Sequence, residues 1–278
     1  MFQRRKELET FSFLLEQLLN GKRLTLSGGY KDKLPSKILH QLTRLSEKMH
    51  GTEERLKQDQ NELRETIAEL AHQMRNPLAN MEGYLELLST ARSEEERQEY
   101  LAVLMETEGK LHFLTESFIK MARLESRIIQ IKPEAANLSD TILKSILQVK
   151  KAADAKQIVI EFTDGSERNT AHDANWLGEA VYNLLENSVK YSPVGSIVKI
   201  AVIYNEMYTR ISVSDSGIGI REGEEGRIFQ KFYRGKDTGG QPGFGLGLYL
   251  SREIVLMHGG FVKARRRERG MEISVFLP

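Results

Sequence analysis

The stretch Asn183-Leu184-Leu185-Glu186-Asn187 decides how the second half of this sequence folds. Side chains four apart share a face of a helix, so both asparagines point the same way. A polar helix face is usually solvated surface, and its meaning depends on its surroundings. Working outward, β-like runs stand at 157–162, 196–204, 209–214, 261–266 and 271–277, with helices near 173–191 and 246–258. Ser139 is placed to cap a further helix through about Ala155. Ile128, Ile129 and Ile131 suggest a strand, and Pro133 to Asn137 a loop. Several paired strands interleaved with helices predict a mixed α/β sandwich, one sheet covered by helices. Its boundary falls at 125–132.

The first half has another texture. Ile38, Leu42, Leu45, Met49, Leu56 and Leu63 recur at coiled-coil spacings, so 36–88 reads as helix. The register then shifts to Leu63, Ile67, Leu70 and Met74, an extra step of four that changes supercoil winding locally. A second helix starts near Ser93, with Glu94, Glu95 and Glu96 where the helix dipole favours acids. It carries Leu101, Leu104, Leu111, Leu114, Phe118 and Met121. A short link at 89–93 makes a helical hairpin. One hairpin buries little, so two chains pairing into a dimeric four-helix bundle is the expected solution.

Whole-chain properties narrow the class. The 278 residues suit two compact domains, or one domain with a helical extension. With 40% hydrophobic and 28% charged residues the chain is ordinary for a globular protein. A net charge of +1 offers no field that points to nucleic acid. The absence of cysteine excludes disulfides, thiol catalysis and cysteine-ligated metals. No stretch is apolar and long enough to span a bilayer, and no secretory leader is recognisable. Arg4, Arg5 and Lys6 followed by an amphipathic segment fit the cytoplasmic side of a membrane-embedded sensor segment upstream. They fit an ordinary charged terminus equally well.

Three further signals follow the asparagine pair. Asp215-Ser216-Gly217-Ile218-Gly219-Ile220 ends a strand in a glycine turn. Ile228-Phe229-Gln230-Lys231-Phe232-Tyr233-Arg234 is aromatic and basic. Gly243-Phe244-Gly245-Leu246-Gly247-Leu248 opens a helix, where free N–H groups and the dipole attract phosphate. Singly, each has a bland reading as turn, surface or loop. Together they offer neutral oxygen ligands for magnesium, a carboxylate for an amino group, and cations for phosphate.

These four boxes, preceded by His72-Gln73-Met74-Arg75-Asn76-Pro77-Leu78, resemble the transmitter of bacterial two-component sensor histidine kinases over residues 63–278. The second half is similar to the gyrase/heat-shock/histidine-kinase ATPase fold. The resemblance implies a linker or signalling coiled coil over 1–60, a dimerisation and phosphotransfer domain over 61–127, and an ATP-binding domain over 128–278. It implies Mg2+ and ATP at the site, with Asn187 as magnesium ligand and Asn183 one turn earlier on the same box. Lys190 and Tyr191 match positions that contact phosphate and nucleotide, and Asp215 matches the residue bonded to the adenine amino group. Gly217 and Gly219 let the backbone approach the base. Phe229 and Phe232 resemble lid-anchoring aromatics, Lys231 and Arg234 the lid's phosphate-side cations. Gly243, Gly245, Gly247 and Leu248 match the box at the phosphates.

The family's hydrolysing cousins carry a water-activating glutamate where this chain has Asn183, and an amide accepts no proton. The expected acceptor is therefore His72, on a cytoplasmic homodimer that passes the phosphoryl group to an aspartate of a response-regulator receiver. Around the helix, His72 lies half a turn from Leu63 and roughly 160° from Leu70 and Met74, so it faces away from the apolar stripe. Asn76, on the same face, matches the position that orients water when the regulator is dephosphorylated. Gln73 departs from the family's usual acid, and its amide cannot hold the imidazole proton. A gyrase-type ATPase or clamp, and a non-catalytic ATP-binding scaffold, are the competing readings. Among the other histidines, His112 is expected in bundle packing and His258 as a cation at a helix end, while His40, His50 and His172 have no evident partners. No metal cluster is expected beyond magnesium with the nucleotide.

Overall fold

A computed structural model describes residues 9, 12, 13, 15–17, 33–126, 130–165, 168–235, 237, 238, 241 and 243–278. The basic cluster near residue 4 and the isoleucines at 128 and 129 lie outside these. The chain divides into two compact units, Met1–Ala71 and His72–Pro278.

The long helix α1 (Lys33–Thr90) provides the described helix of the first unit from residue 33 and the opening helix of the second. In the first unit, Leu45, Met49, Leu56 and Leu63 are 48%, 44%, 57% and 55% exposed, so the predicted seam faces outward in one chain. In the second unit, α1 is followed by α2 (Glu94–Glu125), and Pro77 lies inside α1. The turn between them is set by a capping box. Ser93 Oγ accepts from Glu96 N at 3.1 Å, while the Glu96 carboxylate accepts from Arg92 N at 2.8 Å. Tyr84 and Tyr100 pack across the hairpin with ring centroids 5.9 Å apart. Among the described residues, no helix is long and apolar enough to cross a membrane.

The α/β part runs β1 (Glu134–Asn137), α3 (Leu138–Ala155), β2 (Val159–Asp164), β3 (Asn169–His172), α4 (Ala174–Tyr191), β4 (Ile197–Tyr204), β5 (Thr209–Ser214), α5 (Gly247–Met257), β6 (Phe261–Arg266) and β7 (Met271–Leu277). Five strands form one sheet in the order β2-β4-β5-β7-β6, with only β2 and β4 parallel. Period-two alternation sends Val198, Ile200 and Val202 inward from β4. Leu138, Ile142, Leu177, Leu184, Ile254 and Val255 from the three helices are fully buried. Each such side chain contributes roughly 1.5–3 kcal/mol by leaving water. One sheet face is thus covered, as expected.

Several expectations need correction. Residues 134–137 are a strand, not a loop, and Ile131 is irregular. Strand β3 has no apolar periodicity, and it exists because β1 pairs with it, Glu134 opposite His172. The cap of α3 is Asn137, whose side chain accepts from Ser139 N at 2.9 Å, while Ser139 Oγ donates to Asp164. His172 is buried and fully partnered, through Thr141 Oγ1 and the Thr170 carbonyl, both at 2.8 Å.

The last concerns His258. Its Nε2 accepts from Asp173 N at 3.1 Å, and its Nδ1 meets the Ile254 carbonyl at 2.7 Å. Nε2 can accept only in the neutral ring, and burial is the main cause that holds its pKa below the usual value. A neutral imidazole, not a cation, ends α5. Because the folded value is depressed, the unfolded chain takes the proton first as pH falls. Folding stability should therefore decline below about pH 6.5 and level off beneath the folded pKa. Urea unfolding between pH 7.5 and 5.5 checks this, and His258→Gln should flatten the slope.

Candidate nucleotide-binding site

Asp173 starts α4 by accepting from Asn175 N at 3.1 Å and Trp176 N at 3.2 Å. The helix then presents Asn183, Asn187 and Lys190, at intervals of four and three, to a cavity of about 770 Å³. Asn183 is only 4% exposed. Its Nδ2 donates to the Glu179 carbonyl at 3.0 Å, and its Oδ1 lies against Gly247 at the start of α5. Leu246 offers that helix no side-chain cap, which leaves its first N–H groups for an anion.

The opposite end is built around Asp215, just after β5 and 6% exposed. Its Oδ1 accepts from Gly217 N at 2.9 Å and Met271 N at 3.4 Å, and its Oδ2 from the Ser188 hydroxyl at 3.4 Å. Burial pushes its pKa upward, while these donors and Arg267 pull it back. Backbone approaches are close here. A Cβ on Gly217 would sit 2.8 Å from the Tyr191 carbonyl oxygen, and one on Gly219 (φ +69) 2.9 Å from that of Gly270.

Lys190 and Arg234 face the same space, and burial together with Arg234 lowers the Lys190 pKa. Burial raises that of Tyr191, which Arg234 opposes. Arg234 donates to the Gln241 carbonyl at 2.5 Å, and Arg221 grips Asp237 through two bonds of 2.5 and 2.6 Å. Gly243, Gly245, Gly247 and Leu248 line the cavity. Gly245 packs directly on the backbone of Phe232, itself at φ +59.

Four of the predicted residues are absent from this lining: Gly217, which packs on the Tyr191 carbonyl behind it, and Lys231, Phe229 and Phe232. Lys231 turns to Glu125 at the end of α2, 2.5 Å away, and lies over the Tyr249 ring at 5.4 Å. That carboxylate, also bonded by the Tyr249 hydroxyl at 2.8 Å, outcompetes the open cavity for the ammonium. Phe229 is buried, and Phe232 takes its place in the left-handed turn beneath Gly245. The cavity also gains residues that the sequence did not point to. Phe113 of α2 stacks on Phe244 with centroids 6.3 Å apart. Ser188, Gly270 and Met271 surround Asp215, and only the glycine after the Arg267-Glu268-Arg269 turn signals them.

On α1, His72 and Asn76 are exposed and Gln73 is half-buried. His72 faces solvent in the single chain, as the helical count required.

The profile of the family described as the histidine kinase-, DNA gyrase B- and HSP90-like ATPases matches residues 172–278, and that of the His kinase A (phospho-acceptor) domain matches 62–127. The signal transduction histidine-protein kinase/phosphatase MprB of Mycolicibacterium smegmatis is 30% identical over 232 residues, 80% of this chain and 46% of that protein. Sensor protein SrrB of Staphylococcus aureus is 24% identical over 217 residues, 76% of this chain and 37% of its own. The chain thus spans less than half the length of these curated relatives. Among solved structures, histidine kinase ThkA in complex with response regulator protein TrrA aligns with a TM-score of 0.61 at 20% identity, over 83% of this chain and 66% of that one. Histidine kinase AdeS of Acinetobacter baumannii gives 0.60 at 18%, over 74% and 96%. At these identities the structural matches speak for the fold.

Gly270 has φ +77, and a Cβ there would collide with the Asp215 carbonyl. Gly270→Ala should lower stability by roughly 2–3 kcal/mol through strain and overpacking. The urea midpoint measures this.

Proposed function

The chain belongs to the two-component sensor histidine kinases, whose transmitter it carries, and from that premise we propose that it autophosphorylates His72 from Mg-ATP. The observation that carries this reading is the cavity itself. Asn183, Asn187, Asp215 and the glycine box meet around one space, with an amide where a water-activating carboxylate would stand.

In the proposed step, the lone pair of the His72 nitrogen forms a bond to the γ-phosphorus, and the bond to the bridging oxygen breaks. ADP leaves with that electron pair, and the proton on the imidazole's other nitrogen passes to water. Asn187 supplies a neutral oxygen to the magnesium of the substrate, and Lys190 and Arg234 offset phosphate charge. Asp215 accepts from the adenine amino group through the oxygen that Ser188 holds only at 3.4 Å. The phosphoryl group then passes to an aspartate of a response-regulator receiver, and Asn76 positions water for the reverse task of dephosphorylation. The exposed apolar seams of α1, including Leu78 and Leu85 at 44% and 53%, support a homodimer in which two hairpins form a four-helix bundle. We assign 61–127 to this bundle, 1–60 to a linker or signalling segment ahead of it, and the whole chain to the cytoplasm.

Incubation with γ-labelled ATP tests the proposal. Acid-labile, alkali-stable label is expected on the wild-type chain and none on His72→Gln. Released phosphate without label would favour a gyrase-type ATPase, and binding with neither product a scaffold. Gln73→Glu restores a base worth about 10²–10⁴ in rate at most, so it should label faster than wild type. A slower initial rate in that variant would refute the assignment of the missing base to Gln73.

A further inference from the structure

Lys156, at the end of α3, reaches the far end of α4. Its Nζ donates to the carbonyls of Val189 at 3.0 Å, Lys190 at 2.6 Å and Ser192 at 3.4 Å. An ammonium has three N–H donors, and here three helix-end carbonyls receive them. These are groups that a helix leaves without internal partners, at the negative end of its dipole.

The geometry that brings Lys156 there is specific. Helix α3 closes with Gln157 in the left-handed region at φ +55, Ile158 N bonding back to the Ala153 carbonyl at 2.9 Å. The Lys156 carbonyl accepts from Gly195 N at 2.9 Å, so backbone and side chain both tie α3 to the turn that follows α4. Within residues 189–192, the carbonyl that Lys156 does not take is Tyr191's, and it is the one that lies against Gly217. One turn earlier, Ser188 accepts from Ser192 N at 3.1 Å and donates its hydroxyl to Asp215.

We infer that Lys156 is a positioning residue of the nucleotide site, holding the last turn of α4 so that Lys190 and Tyr191 line the cavity and Tyr191 seats Gly217. This rests on the reading that the cavity takes ATP. Lys156 itself lines the cavity, but its three donors are committed to carbonyls, so it acts through α4 and the Asp215 loop and not as a ligand of the phosphates. Losing it leaves three carbonyls with water and lets the turn fray, which misplaces both Tyr191 and the loop it supports.

The test is an equilibrium titration of the intact chain with a fluorescent ATP analogue, alongside the labelling rate as a function of ATP concentration. Lys156→Met should raise Kd and KM about tenfold, on the scale of one charge-assisted hydrogen bond, with the rate at saturating ATP little changed. Lys156→Arg, which keeps a cation with several donors, should restore affinity. A residue that only stabilises the fold would lower the melting temperature and the total label but leave Kd alone, and that outcome overturns the inference. If Lys156→Met does not fold, Lys156→Arg and Lys156→Gln take its place. Affinity must then be higher with arginine, and equal affinity overturns the proposal. Binding without label at His72 would sink the phosphotransfer reading alone, since the titration reads nucleotide directly.

Discussion

The structure of the site depends on a backbone contact with no room for a side chain. The loop after Asp215 is wedged between the end of α4 and the turn before β7. Gly217 rests on the Tyr191 carbonyl, Gly219 on Gly270, and Gly270 on Asp215 itself. Only glycine permits approaches this close, two of them at positive φ. The wedge aims the Asp215 carboxylate by giving Oδ1 two backbone donors and leaving Oδ2 with one long bond. A buried carboxylate resists ionisation unless donors reach it, and here most of them are main-chain groups that only a proline would remove.

Charge is distributed to suit a polyanion at the other end. Burial and then the nearby Arg234 depress the Lys190 pKa, an arrangement that disfavours the ammonium until an anion enters. Amides stand at two positions where the resemblance to histidine kinases and their hydrolysing cousins implies a carboxylate. Asn183 is buried against the start of α5, and Gln73 follows the exposed His72. Neither can take a proton. In the proposed reaction the first substitution withholds the γ-phosphate from water, and the second slows its transfer to histidine.

Helix α2 meets the α/β part through three different chemistries. Lys120 pairs with Glu179 at 2.7 Å, Glu125 collects Lys231 and the Tyr249 hydroxyl, and Phe113 stacks on Phe244 within the glycine box. These ion pairs are partly exposed, so each is worth little by itself. The aromatic stack is more informative, because it joins the hairpin to the loop expected to hold phosphate.

Much of this was legible in order along the chain. Period-two and period-3.6 patterns marked β4, β5, β7, α4 and both hairpin helices, and Ser93 with Glu96 announced the turn between them. The amide at Asn183, the outward face of His72 and the glycine boxes were local facts of residue type and spacing, which a sequence carries by itself. What it could not carry was pairing between distant residues. Strand β3 exists through β1, and His258 is held neutral by the packing that buries it, with Asp173 N donating to its ring from 85 residues away. Lys231 chooses Glu125 over the cavity, and Lys156 finds the end of α4, through distances that only the packed chain brings to hydrogen-bonding range. Spacing along one helix or strand is geometry that the backbone repeats, whereas the partner of a long side chain is decided by which folded surface lies nearest.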